Sequence, residues 1–381
     1  MWEKFKGIII IVGVGAGVGA ISSFLNIDFT SGNSGSFDII SIVTNLILGF
    51  LWFQVGVIFH EFGHLIMGKA TGYKFLSFQV GPFLWSREMD GKINFRIWNN
   101  SYDVAGQCLM IPTENEADFK YFWYNFGGVL FNLFLIAGSF FFMQFPTSEF
   151  LYLFFRAGLG VNAFMFISNL TPLPWLQNDG RNIYSASRSK DAKLGFQKWL
   201  LQMGAFKQGK RYRDLSDNFF SVSETADSNN SFVGYQILME YRRLEDTGNR
   251  EAALKELRRL NLDTISSSIK GEVKCEWLYH YLIHEPNLDK ARELYKDKHV
   301  KELFAYKMAH LTRLQAAYTY VVEENHTKAF SLFENAQKQV EKLPYKGWQK
   351  MEREALEALG KRMGVQSNNE ESPCKAIKSF G

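Results

Sequence analysis

Four long apolar segments in the first half of this chain restrict what it can fold into. A helix needs about 20 apolar residues to cross the roughly 30 Å hydrocarbon core of a bilayer, and these segments approach or exceed that length. Residues 1–180 also hold only 9 of the 43 Lys and Arg residues and 12 of the 39 Asp and Glu residues. We therefore predict a membrane domain followed by a soluble one, with spans at 7–25, 39–68, 123–145 and 150–176.

The charges that flank these segments predict how the chain is oriented in the membrane. Lys4 and Lys6 precede the first segment, whereas the loop at 26–38 contains acidic residues and no basic one. Nine basic residues and one acidic residue lie between 181 and 213. Because Lys and Arg are retained on the cytoplasmic side, both termini are predicted in the cytoplasm of a bacterial cell. The first segment also fits a cleaved signal sequence, which leaves this orientation unchanged.

Two further patterns lie on either side of the last two spans. At 73–112 the apolar Ile93 and Phe95 alternate with Asn94 and Arg96, which predicts a small β-sheet at the membrane surface. At 187–206 apolar and basic residues recur at helical spacing. That second pattern predicts either a helix in the cytoplasmic membrane interface or a helix packed on its own domain.

A repeat of 38 residues occupies the C-terminal part of the chain. Asn249, Asn287 and Asn325 are each followed four residues later by Ala, and a large residue comes four positions after that Ala. A small residue at a fixed offset lets two helices approach closely, and the large residue fills the gap to the neighbouring helix. The repeat resembles tetratricopeptide-type helix pairs and predicts a solenoid that binds a peptide or protein partner.

These patterns together predict a fold class and a domain organisation. The fold is a polytopic α-helical membrane protein with about four transmembrane helices and a small membrane-associated β-sheet, plus a C-terminal all-α solenoid. The predicted parts are a membrane domain at 1–185, a juxtamembrane amphipathic helix and linker at 186–231, a solenoid at 232–363 and a disordered tail at 364–381.

The second apolar segment carries a candidate metal site. His60 and His64 lie one helical turn apart on the same face, where both can reach one metal ion, and Glu61 can take a proton from water. Ionisable residues inside a membrane segment are costly and usually mark function. Asp179 follows the fourth segment at the same predicted depth, so His60, His64 and Asp179 are candidate ligands for Zn²⁺.

Other interpretations of these residues remain open. The histidines can satisfy backbone carbonyls inside a helix bundle, and Asp179 can belong to a helix-ending turn. The whole chain can also act as a non-catalytic membrane scaffold that recruits a partner through its repeats. Glu61 argues for catalysis, because a structural metal site has no use for that carboxylate. His280 and His284 are also four residues apart, but no Glu follows His280 and no third ligand is evident, which disfavours a metal site there.

Three motifs occur in an order that resembles the site-2 protease family of intramembrane zinc metalloproteases. They are His60-Glu61-Phe62-Gly63-His64, Gly127-Gly128-Val129-Leu130-Phe131-Asn132, and Asn169-Leu170-x-Pro172 leading to Asp179-Gly180. The similarity covers residues 39–185. The chain departs from the family pattern in having Asn178 where Leu usually precedes the acid, and in a longer gap before that acid.

The resemblance implies an activity and roles for the residues. It implies zinc held by His60, His64 and Asp179, with Glu61 as the general base. The implied substrate is a transmembrane protein or membrane-inserted peptide, cut in or near its membrane segment within the lipid bilayer. Asn132 and Asn169 are implied to line the site and to contact the substrate or the oxyanion. No nucleic-acid partner is predicted.

Overall fold

The computed structural model of this chain describes residues 39–365, with gaps at 89, 98–104, 146–147, 174–177 and 344. The first predicted span and nearly all of the predicted tail lie outside these residues. Two compact units are present. The first takes in the described part of Met1–Gly204 together with Ser221–Gln236, and the second takes in Ala205–Phe220 and the described part of Ile237–Gly381.

Three helices of the first unit are long and apolar enough to cross a membrane. They are α1 (Ile39–Ala70), α2 (Tyr121–Met143) and α3 (Glu149–Leu170). Their candidate spanning parts contain 29, 23 and 22 residues, and no other helix of the described chain meets the same criteria. The second, third and fourth predicted spans therefore have helices of the required length and composition.

The outward surfaces of these helices are apolar, and their inner surfaces approach closely. Phe50, Phe134 and Phe140 are each 57% exposed, an amount of aromatic surface that favours contact with lipid. On the inner side, a Cβ atom placed on Gly63 of α1 would lie 2.2 Å from the Gly127 carbonyl oxygen of α2. The two helix backbones therefore touch where neither residue has a side chain.

The segment between α1 and α2 forms the predicted small sheet. Its strands are β1 (Lys74–Val80), β2 (Phe83–Arg87), β3 (Ile93–Ile97) and β4 (Gly106–Ile111). All three pairings are antiparallel, in the spatial order β3-β2-β1-β4. Strand β4 contacts α1, so the sheet is held against the helix that carries the two histidines.

One face of the β2–β3 hairpin is apolar and uncovered. Phe83 pairs with Ile97, and Trp85 pairs with Phe95, so these four side chains share one face of the hairpin. Their exposed fractions range from 38% for Trp85 to 70% for Ile97. The alternation seen in the sequence therefore corresponds to a two-faced hairpin.

Two shorter helices follow α3 in the first unit. Helix α4 (Asp179–Ser187) begins after Asn178, whose side chain accepts from the Arg181 backbone N–H. Helix α5 (Lys190–Lys207) buries Phe196 and Leu200, and the Phe196 ring stacks on Phe232 of the same unit at a centroid distance of 4.5 Å. The contacts of α5 favour the packed alternative over a helix that lies in the membrane interface.

The Asn repeat marks the starts of three short helices: α7 (Arg250–Arg258), α9 (Leu288–Lys296) and α12 (His326–Val340). In each, the Asn side chain accepts from the backbone N–H three residues later, as expected of an N-cap. The Ala of each repeat is fully buried. The remaining helices are α6 (Ser231–Asp246), α8 (Ser267–Ile283), α10 (Lys298–Phe304), α11 (Ala309–Val321) and α13 (Lys346–Arg362).

Neighbouring helices of the second unit pack in pairs, α8 with α9 and α11 with α12. Tyr295, the large residue of the middle repeat, stacks on Tyr318 at a centroid distance of 3.5 Å. Helix α10 lies between these two pairs along the chain. The continuation of this pairing into a solenoid stays a prediction.

Candidate metal centre

Helix α1 brings two imidazole rings to one point, as the four-residue spacing predicts. The Nε2 atoms of His60 and His64 are 3.2 Å apart. Both residues are buried, with 7% of each exposed, although they lie in a helix with large exposed apolar side chains. The period of the α-helix therefore points the Nε2 atoms of both rings toward the same small volume.

Each imidazole ring is held from behind by an oxygen acceptor on α2. His60 Nδ1 lies 2.7 Å from the Asn132 Oδ1 atom, and His64 Nδ1 lies 2.7 Å from the Tyr124 carbonyl oxygen. A carbonyl oxygen can only accept, so Nδ1 of His64 carries the ring proton and donates it. The Nε2 atom then keeps its lone pair, which is the arrangement of metal-ligating histidines with a hydrogen-bonded outer shell.

Asp179 completes the group from a different element. It is the first residue of α4, and its Oδ2 and Oδ1 atoms lie 3.0 Å from His60 Nε2 and 3.4 Å from His64 Nε2. Two ligands of a tetrahedral zinc ion are about 3.3 Å apart when zinc–ligand bonds are about 2.0 Å long. The separation of the two nitrogen atoms matches this value, and one ligand atom from each of the three residues lies within 4.8 Å of the others, so the group can share one zinc ion. Three protein ligands leave the fourth tetrahedral position to water or substrate.

The lone pairs of the two imidazoles and of the Asp179 carboxylate repel one another unless a cation lies between them. With the ring protons on Nδ1, two nitrogen lone pairs and a carboxylate face one another, and Asp179 Oδ2 is buried with no hydrogen-bond partner. A metal ion or an added proton must therefore lie between them. Burial opposes ionisation of Asp179, but an added proton shared with His64 and His60 puts positive charge beside the carboxylate, outweighs burial and holds the pKa of Asp179 below its ordinary value.

Glu61 is buried beside this group and interacts electrostatically with His64, His60 and Asp179. Strand β4 approaches the carboxylate through a residue without a side chain. A Cβ atom on Gly106 would lie 2.7 Å from Glu61 Cγ and 2.8 Å from its Oε1 atom. The backbone of β4 therefore lies directly against the predicted base at Gly106.

Gly128 leaves the space in front of the histidines clear. A Cβ atom there would lie 2.6 Å from the Nε2 atoms of both His60 and His64. Any larger residue would therefore occupy the position of a shared metal ion. The two glycines of the second motif therefore have different roles. Gly127 permits close contact between α1 and α2, and Gly128 leaves the ligand nitrogens accessible to a metal ion.

The structure gives Asn132 and Asn169 different surroundings. Asn132 is fully buried and hydrogen-bonds His60, so it contacts a predicted ligand directly. Asn169 donates from Nδ2 to the Met165 carbonyl oxygen of its own helix at 3.0 Å. The substrate contacts implied for both residues stay predictions. Asn162, which hydrogen-bonds Asn132, was not expected from the sequence, because no motif includes it.

The alternative histidine pair has no comparable setting. His280 Nε2 lies 3.4 Å from Glu285 and His284 Nε2 lies 3.6 Å from Glu245, so the two rings have different acidic neighbours. Within the described residues, His60, His64 and Asp179 form the one group of three or more His, Cys, Asp or Glu side chains placed to share a metal ion. The structure therefore favours the first pair.

No protein-family model, curated protein or solved structure matches this chain. Two imidazoles, one carboxylate and an open position form the donor set of hydrolytic zinc sites, and the buried Glu61 adds a proton acceptor.

Proposed function

We propose that this chain is a zinc-dependent endopeptidase that cuts transmembrane substrates in or near their membrane segments. The observation that carries the proposal is the convergence of His60 and His64, from an apolar helix, with Asp179 of α4, and the burial of Glu61 next to His60 in the same apolar helix. A metal site that only stabilised the bundle would need the three ligands but would gain nothing from a buried carboxylate next to them.

The chain's own residues supply most of the chemistry. Zinc, when bound, acts as a Lewis acid toward water and the scissile carbonyl. Glu61 accepts the proton of the attacking water and returns it to the leaving amine. Gly106 lets strand β4 pack against Glu61, and Gly128 places no side chain against the ligand nitrogens. A substrate helix must first unwind locally, because a helical peptide bond is shielded by its own hydrogen bonds.

The placement of the chain in the membrane is part of the proposal. The basic residues after Gly180 favour a cytoplasmic position for α4 and for both termini, in a bacterial cell membrane. The uncovered apolar face of the β2–β3 hairpin supports a sheet that dips into the bilayer surface. The repeats of the second unit then bind the cytosolic part of a substrate or a separate protein partner.

The experiment compares membrane proteomes of cells that carry the wild-type chain or Glu61→Gln. We expect at least one single-span protein to accumulate uncut in the Glu61→Gln cells, while the purified variant still binds zinc. Glu116→Gln, at an exposed position, is the matched control and should match the wild type. Identical proteomes with zinc bound in both proteins would instead support the scaffold function.

A further inference from the structure

We propose that Asn162 of α3 is a positioning residue for the metal centre and acts on His60 through Asn132. The inference rests on the proposed zinc site. Helix α3 supplies no ligand to the group of His60, His64 and Asp179. It nevertheless has a specific effect on that group, because Asn162 fixes which atom of Asn132 faces the His60 ring.

A chain of buried hydrogen bonds connects the three helices. Asn162 Nδ2 donates to the Gly158 carbonyl oxygen at 2.9 Å, and Asn132 Nδ2 donates to Asn162 Oδ1 at 3.1 Å. Asn132 Oδ1 in turn lies 2.7 Å from His60 Nδ1. Asn132 and Asn162 are both fully buried, so water does not compete for these groups.

The direction of this chain is fixed at its far end. The Gly158 carbonyl oxygen can only accept a hydrogen bond, so Asn162 must present its NH₂ group there and its oxygen to Asn132. Asn132 must then present its NH₂ group to Asn162 and its oxygen to His60. The Gly56 carbonyl oxygen, 3.4 Å from Asn132 Nδ2, favours the same orientation. The proton on His60 is thereby held at Nδ1, and Nε2 is left free for the metal.

The helices are packed so that this contact can form. A Cβ atom on Gly56 of α1 would lie 3.0 Å from Asn162 Oδ1 and 2.6 Å from Met165 Sδ. A side chain at position 56 would therefore push α3 away and break the link. The three helices meet at one polar point within an otherwise apolar bundle, where an unpartnered amide would be costly.

Loss of Asn162 removes the constraint on Asn132. The Asn132 amide can then turn over and offer its NH₂ group to His60 Nδ1, which favours the ring tautomer with its proton on Nε2. A ring protonated on Nε2 cannot ligate through that atom, so zinc must first displace the Nε2 proton. Outer-shell substitutions at metal sites lower affinity by about 10–100-fold, and we expect about tenfold here because Asn162 acts one residue further out.

The test measures zinc affinity of the purified full-length protein in detergent, by competition with a chelator. Asn162→Leu, which keeps the branched shape and removes both polar atoms, should weaken zinc binding about tenfold. Asn162→Asp, protonated at this buried position, can donate to the Gly158 carbonyl oxygen and keep an oxygen facing Asn132, so it should stay close to the wild type. Ser168→Ala is the control on the same helix, since its hydroxyl donates only to the Met165 carbonyl oxygen of α3. The d–d absorption of bound Co²⁺ should shift in Asn162→Leu and not in Ser168→Ala.

A double-mutant cycle separates positioning from general destabilisation. If Asn162 acts through Asn132, Asn162→Leu should have no further effect in an Asn132→Ala background. Equal weakening in both backgrounds would overturn the inference, as would unchanged affinity in Asn162→Leu. Should Asn162→Leu not fold, Asn162→Ala takes its place in the cycle. Wild-type protein that binds no more zinc than His60→Ala would instead refute the proposed zinc site itself.

Discussion

The ligand atoms of the candidate site are oriented by residues that carry no metal-binding group of their own. The Tyr124 carbonyl oxygen and the Asn132 side chain each accept a hydrogen bond from one histidine, and Asn178 caps the helix that begins with Asp179. Asn178 Nδ2 also donates to the Ser168 and Thr171 carbonyl oxygens at the end of α3. The residue that departs from the family pattern therefore anchors the third ligand.

Removal of a ligand should remove the metal. Purified wild-type protein should contain about one zinc ion per chain, and His60→Ala or His64→Ala should lose most of it because one imidazole and one carboxylate from two separate helices do not hold zinc tightly. Asp179→Ala should lose less, since both imidazoles remain. Elemental analysis measures the outcome, with the exposed His326→Ala as the control. Undiminished zinc in a His60→Ala/His64→Ala protein would contradict the site.

Some of this site could be predicted from the sequence and some could not. The proximity of His60 and His64 follows from the period of the α-helix, and Asp179 was expected because two predicted spans were assigned ends at the same membrane face. The hydrogen bond from Asn132 to Asn162 depends on how two helices are rotated against each other, which hydropathy does not report. The hydrogen bond from His64 to the Tyr124 backbone carbonyl places no requirement on the side chain at position 124, so the sequence does not reveal it.

The helices around the site approach one another through glycine. Gly63 and Gly127 bring α1 and α2 into backbone contact, and Gly56 brings α3 against α1. Without a hydrophobic driving force between helices in lipid, such close packing supplies much of the association energy. Because these glycines have no side chains, the helices lie close together, and this short distance fixes the geometry of the candidate ligands.

Two glycines on α2 provide a matched pair of substitutions. Gly128→Ala should abolish or strongly reduce zinc binding, because the new methyl group would lie 2.6 Å from both ligand nitrogens. Forced overpacking of this kind also destabilises a protein by about 1–3 kcal/mol. Gly138→Ala, where a Cβ meets no atom within 4 Å, should keep its zinc. Zinc content and the detergent thermal midpoint of both variants decide the outcome, and equal zinc in the two would refute the close approach.

The repeated elements could be predicted from the sequence only in part. The Asn residues that recur in the sequence are helix N-caps, a local interaction that spacing does reveal. Helix α10 was not anticipated, because its seven residues carry no part of the repeat. The surroundings of α5 also needed the structure, because an amphipathic pattern is equally compatible with a membrane surface and with a protein core.

At the scale of the whole molecule, the candidate site lies entirely in the first unit and the Asn repeats lie in the second. Residues of the predicted solenoid also belong to the first unit, since Phe232 stacks on Phe196 and Gln236 Nε2 donates to the Gly195 carbonyl oxygen. A truncation meant to spare the site must therefore keep Ser221–Gln236.

Truncation after Gln236 should leave zinc binding intact but weaken cleavage of the native substrate. If the second unit tethers a substrate's cytosolic tail, it raises the effective concentration of the membrane segment near His60 without changing the hydrolytic barrier. A short synthetic transmembrane peptide has no such tail, so full-length and truncated protein should cut it at similar rates. Loss of peptide cleavage by a folded, zinc-loaded truncation would make the second unit an activator of the enzyme.

The position of Asp179 on a separate helix has a consequence for biosynthesis. A ribosome delivers α1 long before α4, so a nascent chain holds two of the three ligands while α2 and α3 are still being made. The proposed enzyme would then become competent only after the third candidate spanning helix has been made and α4 has docked. A protease assembled in this order would stay inactive during its own insertion, when unfolded membrane segments of other nascent proteins are close at hand.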